Sequence, residues 1–544
     1  GNDNLFYSRR IGRQPHGYPS LESGEYADIP TFTNILGAAK LTGKTKNGLS
    51  IGFLESVTAE VRAEVDSAGQ RSTDVIEPLT NYSLARVQKD FNKGNTILGG
   101  AVTSTNRMLD DTGMEYLHKN ATTGGIDFTQ YFRDRNYMIS TSIYMSHVEG
   151  STGAISRTQR SSARYFQRPD ADHLEYDDTR TSLTGHGGKL QAGKIGGKWN
   201  FLLMSNWKSP GLEINDMGYQ READKLLNVL WTGYNFTEPF SIFRSLSLNN
   251  DVYIANDFGG TLQGIGYEWN VNANFKNFWN GGAGGGFGFL NLQSTMLRGG
   301  PAMRMPNSWR YRIYINTDSR KKVSFNAGTY INGMAEGVSV NANYNMGITI
   351  RPINTLRISL SPGFSVRNDQ FQYVSTRRMN NEDRYIFAEI DQKILNMSLR
   401  INYNITPDLT IQYWGQPFIA TGNYSNFKMI ANPVADEMED RYSIYQGNQI
   451  ELSDGYYMID EDNDTNFDYG FSNPDFNFDE WLSNLVVRWE FLPGSTAYLV
   501  WSQTRSYSSQ ISEFEIADNL ENLFTEEKAN NVFLIKISYR FGLR

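Results

Sequence analysis

The chain has 544 residues, no cysteine, 50 glycines, 16 prolines and 13% aromatic residues. No disulfide framework can hold it, and a formal net charge of −8 offers no basic surface to nucleic acid. It contains no run of ~18 apolar residues, which excludes a transmembrane helix. There is also no repeated βα pattern and no convincing amphipathic helix.

In chain order, residues 4–12 (NLFYSRRIG) read as a first strand, and 13–32, rich in Gly, Pro and Ser, as a loop. Residues 34–44 and 49–65 form a hairpin across Lys46-Asn47-Gly48. Similar hairpins turn at Asn92-Lys93-Gly94-Asn95, Asp134-Arg135-Asn136 and Gly196-Gly197-Lys198. Later turns fall near Thr237-Glu238-Pro239, Trp279-Asn280-Gly281, Ser319-Arg320-Lys321, Pro352-Ile353-Asn354, Thr406-Pro407-Asp408 and Leu492-Pro493-Gly494. Asn368-Asp369 and Asn380-Asn381 are two more short turn signals. Longer connections lie between these turns, at 66–80, 106–122, 149–182, 208–222, 299–307, 421–480 and 507–529.

The intervening segments alternate. In EGVSVNANYNMGITI, residues 336–350, Val338, Val340, Ala342, Tyr344, Met346, Ile348 and Ile350 fall on every second position. Asn341, Asn343 and Asn345 lie in the gaps. The period of two marks a strand with one apolar and one polar face. Its length matches the ~9–11 residues that a tilted strand needs to cross a bilayer. In residues 395–405, Leu395, Met397, Leu399 and Ile401 oppose Asn396, Ser398, Arg400, Asn402 and Asn404. Residues 265–275 and 533–541 repeat the pattern. Mean hydropathy is only −0.50, as expected when half of every strand faces water.

Tight turns alternating with long loops describe an all-β fold, a large transmembrane antiparallel up-and-down β-barrel of about 24 strands, within roughly 20 to 26. The expected organisation is a single barrel domain over 1–544. Its entry strand and first outer loop occupy 1–32, and a long outer loop occupies 421–480. The eight polar residues Asn341, Asn343, Asn345, Asn396, Ser398, Arg400, Asn402 and Asn404 are expected to face the lumen. The expected location is the bacterial outer membrane. The chain begins at Gly1 without methionine or a signal peptide, which reads as a mature or truncated piece.

The 421–480 loop carries 14 acidic residues against Lys428 and Arg441, a charge of about −12 that exceeds the whole chain's −8. Within it Asp460, Asp462, Asp464, Asn466 and Asp468 recur on alternate positions. Calcium takes six to eight oxygens, and such a loop can supply them. It is not an EF-hand, because Thr465 stands where glycine is needed and Phe471 occupies the twelfth position. A solvated acidic loop is the simpler reading, and no other cofactor is expected.

The histidines, His16, His118, His147, His173 and His186, show no short metal-ligand spacing. Ser146 and His147 are adjacent, so on a strand they face opposite ways and make no hydrolytic pair. The run GGAGGGFG at 281–288 lacks the GK[ST] of a phosphate loop and marks a strand with one bulk-free face. Trp309, Trp481, Trp489 and Trp501 are expected in interfacial girdles. Arg9, Arg10 and Arg13 are expected to line the lumen or to bind a lipid headgroup, paired lumen residues being the simpler reading.

Four stretches carry a family resemblance: LFYSRRIGR (5–13), ILGAAKLTGKTKNG (35–48), NPDFNFDEWLSNLVVRWEFLPGSTAYLVWSQ (473–503) and SYRF (538–541). They resemble a family of uncharacterised outer-membrane barrels of Gram-negative bacteria whose full-length members carry an N-terminal carbohydrate-binding-module-like domain. The resemblance implies that a periplasmic domain is missing from this chain, and it transfers no site residues. The expected function is therefore non-catalytic: a pore or transporter for polar solutes or polymer. The alternative is a scaffold subunit of a larger outer-membrane complex. Expected partners are outer-membrane lipid and other outer-membrane or periplasmic proteins.

Overall fold

The structure, a computed structural model, describes residues 4–526 and 528–541. The fold is all-β, with 23 strands in one large antiparallel sheet of the outer-membrane barrel kind. Two of the 23 are fragments, Met303–Arg304 and Tyr442–Ile444. Two α-helices that the sequence reading missed, Thr152–Gln159 and Ile516–Thr525, lie in long connections. Each is only two to three turns long, too short for its periodicity to stand out from the surrounding loop.

The chain divides into two compact units. In the first, nine strands pair in chain order: Ile35–Lys44, Leu49–Thr58, Thr80–Phe91, Thr96–Arg107, His118–Phe132, Tyr137–Gly150, Ser182–Lys194, Trp199–Lys208 and Lys225–Phe236. Their tight turns use left-handed residues, Gly48 (φ 78°), Lys93 and Gly94 (56° and 80°), Asp134 and Arg135 (56° and 63°) and Gly197 (80°). That backbone twist suits a short hairpin. The opposite strand ends join through long connections. One, 59–79, carries Val61–Ser67 and Gln70–Glu77, and Glu25–Asp28 of the N-terminal segment pairs with Val61–Ser67 to complete a three-stranded sheet. Another folds Ile155 and Phe166 onto Ala121, Val148 and Leu183.

In the second unit ten strands pair in order: Asn280–Gln293, Ser308–Asn316, Val323–Met334, Ser339–Ile353, Leu356–Met379, Glu382–Asn404, Leu409–Ile430, Phe476–Leu492, Ser495–Ser509 and Asn530–Ser538. Leu356–Met379 and Glu382–Asn404 have 24 and 23 residues, twice what a bilayer requires. Their far ends are covered by the connection 431–475. That connection carries its own three-stranded sheet, Ile450–Ser453, Tyr456–Ile459 and Tyr469–Ser472. Ile386, Ala388, Phe427, Tyr445, Ile459, Tyr469 and Phe471 form the core between them.

Several expectations need correction. Residues 4–12 are not a strand. Ser8–Arg10 is a 3-10 turn, and the segment lies against the 209–224 connection, with Tyr7 N–H donating to the Met217 carbonyl at 2.8 Å. The strand from Leu49 ends at Thr58, and Val61 starts the small sheet. The turn near Trp279 lies earlier, because Asn280 already begins a strand. Asn368-Asp369 lies inside Leu356–Met379, and the chain reverses at Asn380-Asn381, both with positive φ. The 421–480 loop shrinks to 431–475, because the flanking strands run on to Ile430 and resume at Phe476.

Candidate functional site

Strand register places the eight predicted polar residues on one face of the second unit. Asn341 faces Arg367, Asn343 faces Ser365, and Asn345 faces Gly363, which in turn faces Asn396. Ser361 faces Ser398, Ser359 faces Arg400, Arg357 faces Asn402, and Asn404 pairs with Thr410. The face is hydrogen-bonded within itself. Ser365 donates to Asn343 at 2.7 Å, Asn343 to Asn341 at 3.3 Å, and Trp414 Nε1 to Ser398 at 3.0 Å. Gly282, Gly284 and Gly286 face Tyr314, Arg312 and Arg310. A methyl at Gly284 or Gly286 would meet the arginine Nε at 3.1 or 3.0 Å. The bulk-free face therefore lets these long polar side chains lie across it.

On the other face, Val340, Tyr344, Met346, Ile348 and Ile350 are exposed. Val338 does not join them. It closes the 3-10 turn Ala335–Gly337, donating to the Ala335 carbonyl, and is buried at 2%. Trp489 and Trp501 are exposed, and Trp501 stacks on Phe533 at 6.0 Å. Trp481 packs edge-on against Phe524 of the helix Ile516–Thr525, and Trp309 packs against Tyr311.

The acidic loop brings Asp460, Asp462 and Asp464 together, with one carboxylate oxygen from each within 4.8 Å of the others. Left-handed Asn463 and Thr465 curl the chain. Asp460 accepts from the backbone of Asp464 (3.1 Å) and Thr465 (2.8 Å). Desolvation, then the neighbouring Asp464, pushes the Asp462 carboxyl up. Asn466 joins only through its backbone N–H to Asp464, and Asp468 instead accepts from Glu461 N–H at 2.8 Å. Three of the five predicted ligands therefore converge.

A second donor set joins residues far apart in sequence. His173 Nε2 lies 2.9 Å from Asp224, and one ligand atom each of His173 and the buried Asp224 and Asp257 lies within 4.8 Å of the others. Their spacing of 51 and 33 residues hides them from any motif. Ser146 is buried and accepts from Glu213 N–H at 2.9 Å, while His147 turns to Thr184 and Glu149. The two face apart, as alternation requires.

The first unit also holds a cavity of about 230 Å³ at its long-connection end. Arg10, Arg13 and His16 of the N-terminal segment line it, with Arg107 and His118 from strand ends and Arg157 from the helix Thr152–Gln159. Arg10 donates to the Gly218 carbonyl (2.9 Å) and Asn215 (3.0 Å). Arg13 lies 3.3 Å from His16 Nε2. Arginine only donates, so that nitrogen accepts, and His16 Nδ1–H donates to Glu77 at 2.7 Å. Asp216 lies between two cations. Arg107 reaches it at 2.6 Å and His118 Nδ1 at 2.8 Å. Thr158 gives its hydroxyl hydrogen to the Ala154 carbonyl, so it accepts from His118 Nε2 at 2.7 Å. Both ring nitrogens then face acceptors, and although burial would lower it, Asp216 pushes the His118 imidazole up. Burial alone would raise the Asp216 carboxyl, but His118 and Arg107 hold it far below the usual range. The sequence reading had named Arg10 and Arg13 but not the cavity.

The family model described as domain of unknown function (DUF5916) matches residues 1–541, and the chain belongs to that family. No curated protein matches the sequence. Among solved structures, the siderophore receptor PirA from Acinetobacter baumannii is similar at 8% identity and a TM-score of 0.37, over 85% of this chain and 76% of that one. The copper transporter OprC is similar at 10% identity and 0.30, over 90% and 77%. The translocation pore of the P pilus usher PapC is similar at 8% and 0.28, over 94% and 98%.

Proposed function

We propose that this DUF5916 member is a non-catalytic outer-membrane barrel through which polar solutes or polymer pass. The opposition of its two strand faces carries the reading. Along Ser339–Ile353 one face exposes Tyr344, Met346, Ile348 and Ile350, and the other holds the asparagine series. In the first unit Val87, Leu98, Val102, Ile126, Ile143 and Leu203 are likewise exposed. An apolar surface of that extent marks an interface, and on barrel strands hydrocarbon is the natural cover. Amides that hydrogen-bond one another suit water on the opposite face. The Asp460, Asp462 and Asp464 cluster would bind calcium at the outer end, rigidifying the loop.

One observation favours a second reading, a scaffold subunit. Residues 431–475 fold onto a core shared with the long strands, with Phe471 buried among Phe427 and Tyr457. That is a built surface rather than a solvated loop, the kind of surface on which a partner docks. Purified protein in a planar bilayer separates the readings. Steady conductance supports a pore, and conductance that appears only after deleting 431–475 supports a gated one. Silence in both, with other membrane proteins copurifying, would reject the pore and leave the scaffold.

A further inference from the structure

We infer that the arginine-lined cavity of the first unit binds an oxyanion group, a phosphate, sulfate or carboxylate, carried by a water-borne solute. The argument starts from charge. Of the two carboxylates in the cavity wall, Glu213 is occupied by Arg164 at 2.9 Å, and Asp216 by Arg107 and His118. Arg10, Arg13 and Arg157 then remain, and none has a carboxylate partner among the described residues. Burial, and after it the neighbouring Arg13, disfavours the charge on Arg10. Arg157 rests on the Tyr116 ring, 5.0 Å from its centroid, which holds the guanidinium at the rim.

The Arg107 side chain, 2% exposed, is already committed to Asp216 and the His118 carbonyl. An oxyanion held between Arg10, Arg13 and Arg157 would neutralise the surplus charge. Guanidinium forks match phosphate, sulfate and carboxylate geometry better than any other side chain. Space is ample, because about 230 Å³ far exceeds the ~10–15 Å³ that a single water needs.

Position selects the source. Tyr82 and Arg107 both line the cavity. Ala101, two strand positions below Thr103, pairs with Arg86, and Tyr82 pairs with Thr105. Alternation therefore puts Tyr82 and Arg107 on the face of Arg86, away from exposed Val87 and Val102. The cavity belongs to the polar side of the sheet, which a solute reaches through water and a lipid headgroup does not.

The test uses the whole chain in detergent, with calorimetric titration of sodium phosphate, sulfate and citrate, and in a separate arm lipopolysaccharide. Saturable binding of at least one soluble anion is expected, weakening as sodium chloride rises. Arg157→Gln should weaken it about tenfold, and Arg13→Gln with Arg157→Gln further. Arg9→Gln, outside the cavity, should leave it unchanged. The unheated gel mobility of each variant reports folding, and the single Arg157→Gln change, on an exposed side chain, keeps the test decisive if the double variant fails to fold. Absence of saturable binding of all three anions, or equal binding in the arginine variants, overturns the site. Binding of lipopolysaccharide alone overturns the water-borne source. The measurement needs no conductance, so it stands or falls separately from the pore.

Discussion

Placing arginine at two adjacent positions tests which face meets lipid. Met346 and Asn345 occupy the same depth in Ser339–Ile353, and alternation turns them to opposite faces. Met346 is the eighth of 15 residues, seven from the tight-turn end. At ~3.3 Å per residue and a tilt of roughly 40°, that is about 18 Å above the turn, inside an apolar band about 25 Å tall. It is 55% exposed, between Tyr344 and Ile348. Met346→Arg should therefore cost about 2–4 kcal/mol, or roughly 30- to 800-fold in the folding equilibrium. Asn345 faces Gly328 and Gly363, which leave room for a longer side chain. Asn345→Arg should cost less than about 1 kcal/mol. Urea unfolding of protein refolded into lipid vesicles, read by gel mobility, measures both. Equal costs, or a larger cost at Asn345, would refute the assignment of faces.

Three further outcomes follow from the outer connections. If Asp460, Asp462 and Asp464 hold calcium, a chelator should speed proteolysis within 431–475, and Asp462→Asn with Asp464→Asn should abolish the calcium effect; equal cleavage with and without calcium would exclude the site. Phe471 is 1% exposed in the module core, so Phe471→Ala should lower local stability by about 3–5 kcal/mol, visible as faster amide exchange over 450–472. Burial pushes the Tyr445 phenol up to about 12, and Tyr469 bonds to it at 3.0 Å. Because the folded value lies above the ordinary value of 10, this contribution to stability is complete below pH 10 and is lost as pH rises towards 12. The module should open to protease across that window, and Tyr445→Phe with Tyr469→Phe should remove the step; an unchanged alkaline transition would contradict it.

Residue order alone specifies the wall. Alternation has a period of two that depends on no distant contact, so the two faces of residues 339–350 and 395–404 were legible from residue order alone. Most tight turns were legible for the same local reason, since Asn and Gly tolerate the left-handed backbone that a short hairpin needs. Tertiary structure decided what happens beyond the strand ends. NLFYSRRIG has strand-like residues, but its donors find carbonyls on the 209–224 connection, some 200 residues away, and it becomes a strap instead of a strand. Asn368-Asp369 carries a turn signal that pairing on both sides overrides. The acidic loop is locally polar, yet Phe427, Phe471 and Ile386 supply it with a core drawn from three distant segments. Arg10, Arg107 and Arg157 carry no spacing that links them. Only the packing of the N-terminal segment, two strand ends and a helix encloses them in one cavity, because charge sums over distance in space and not along the chain.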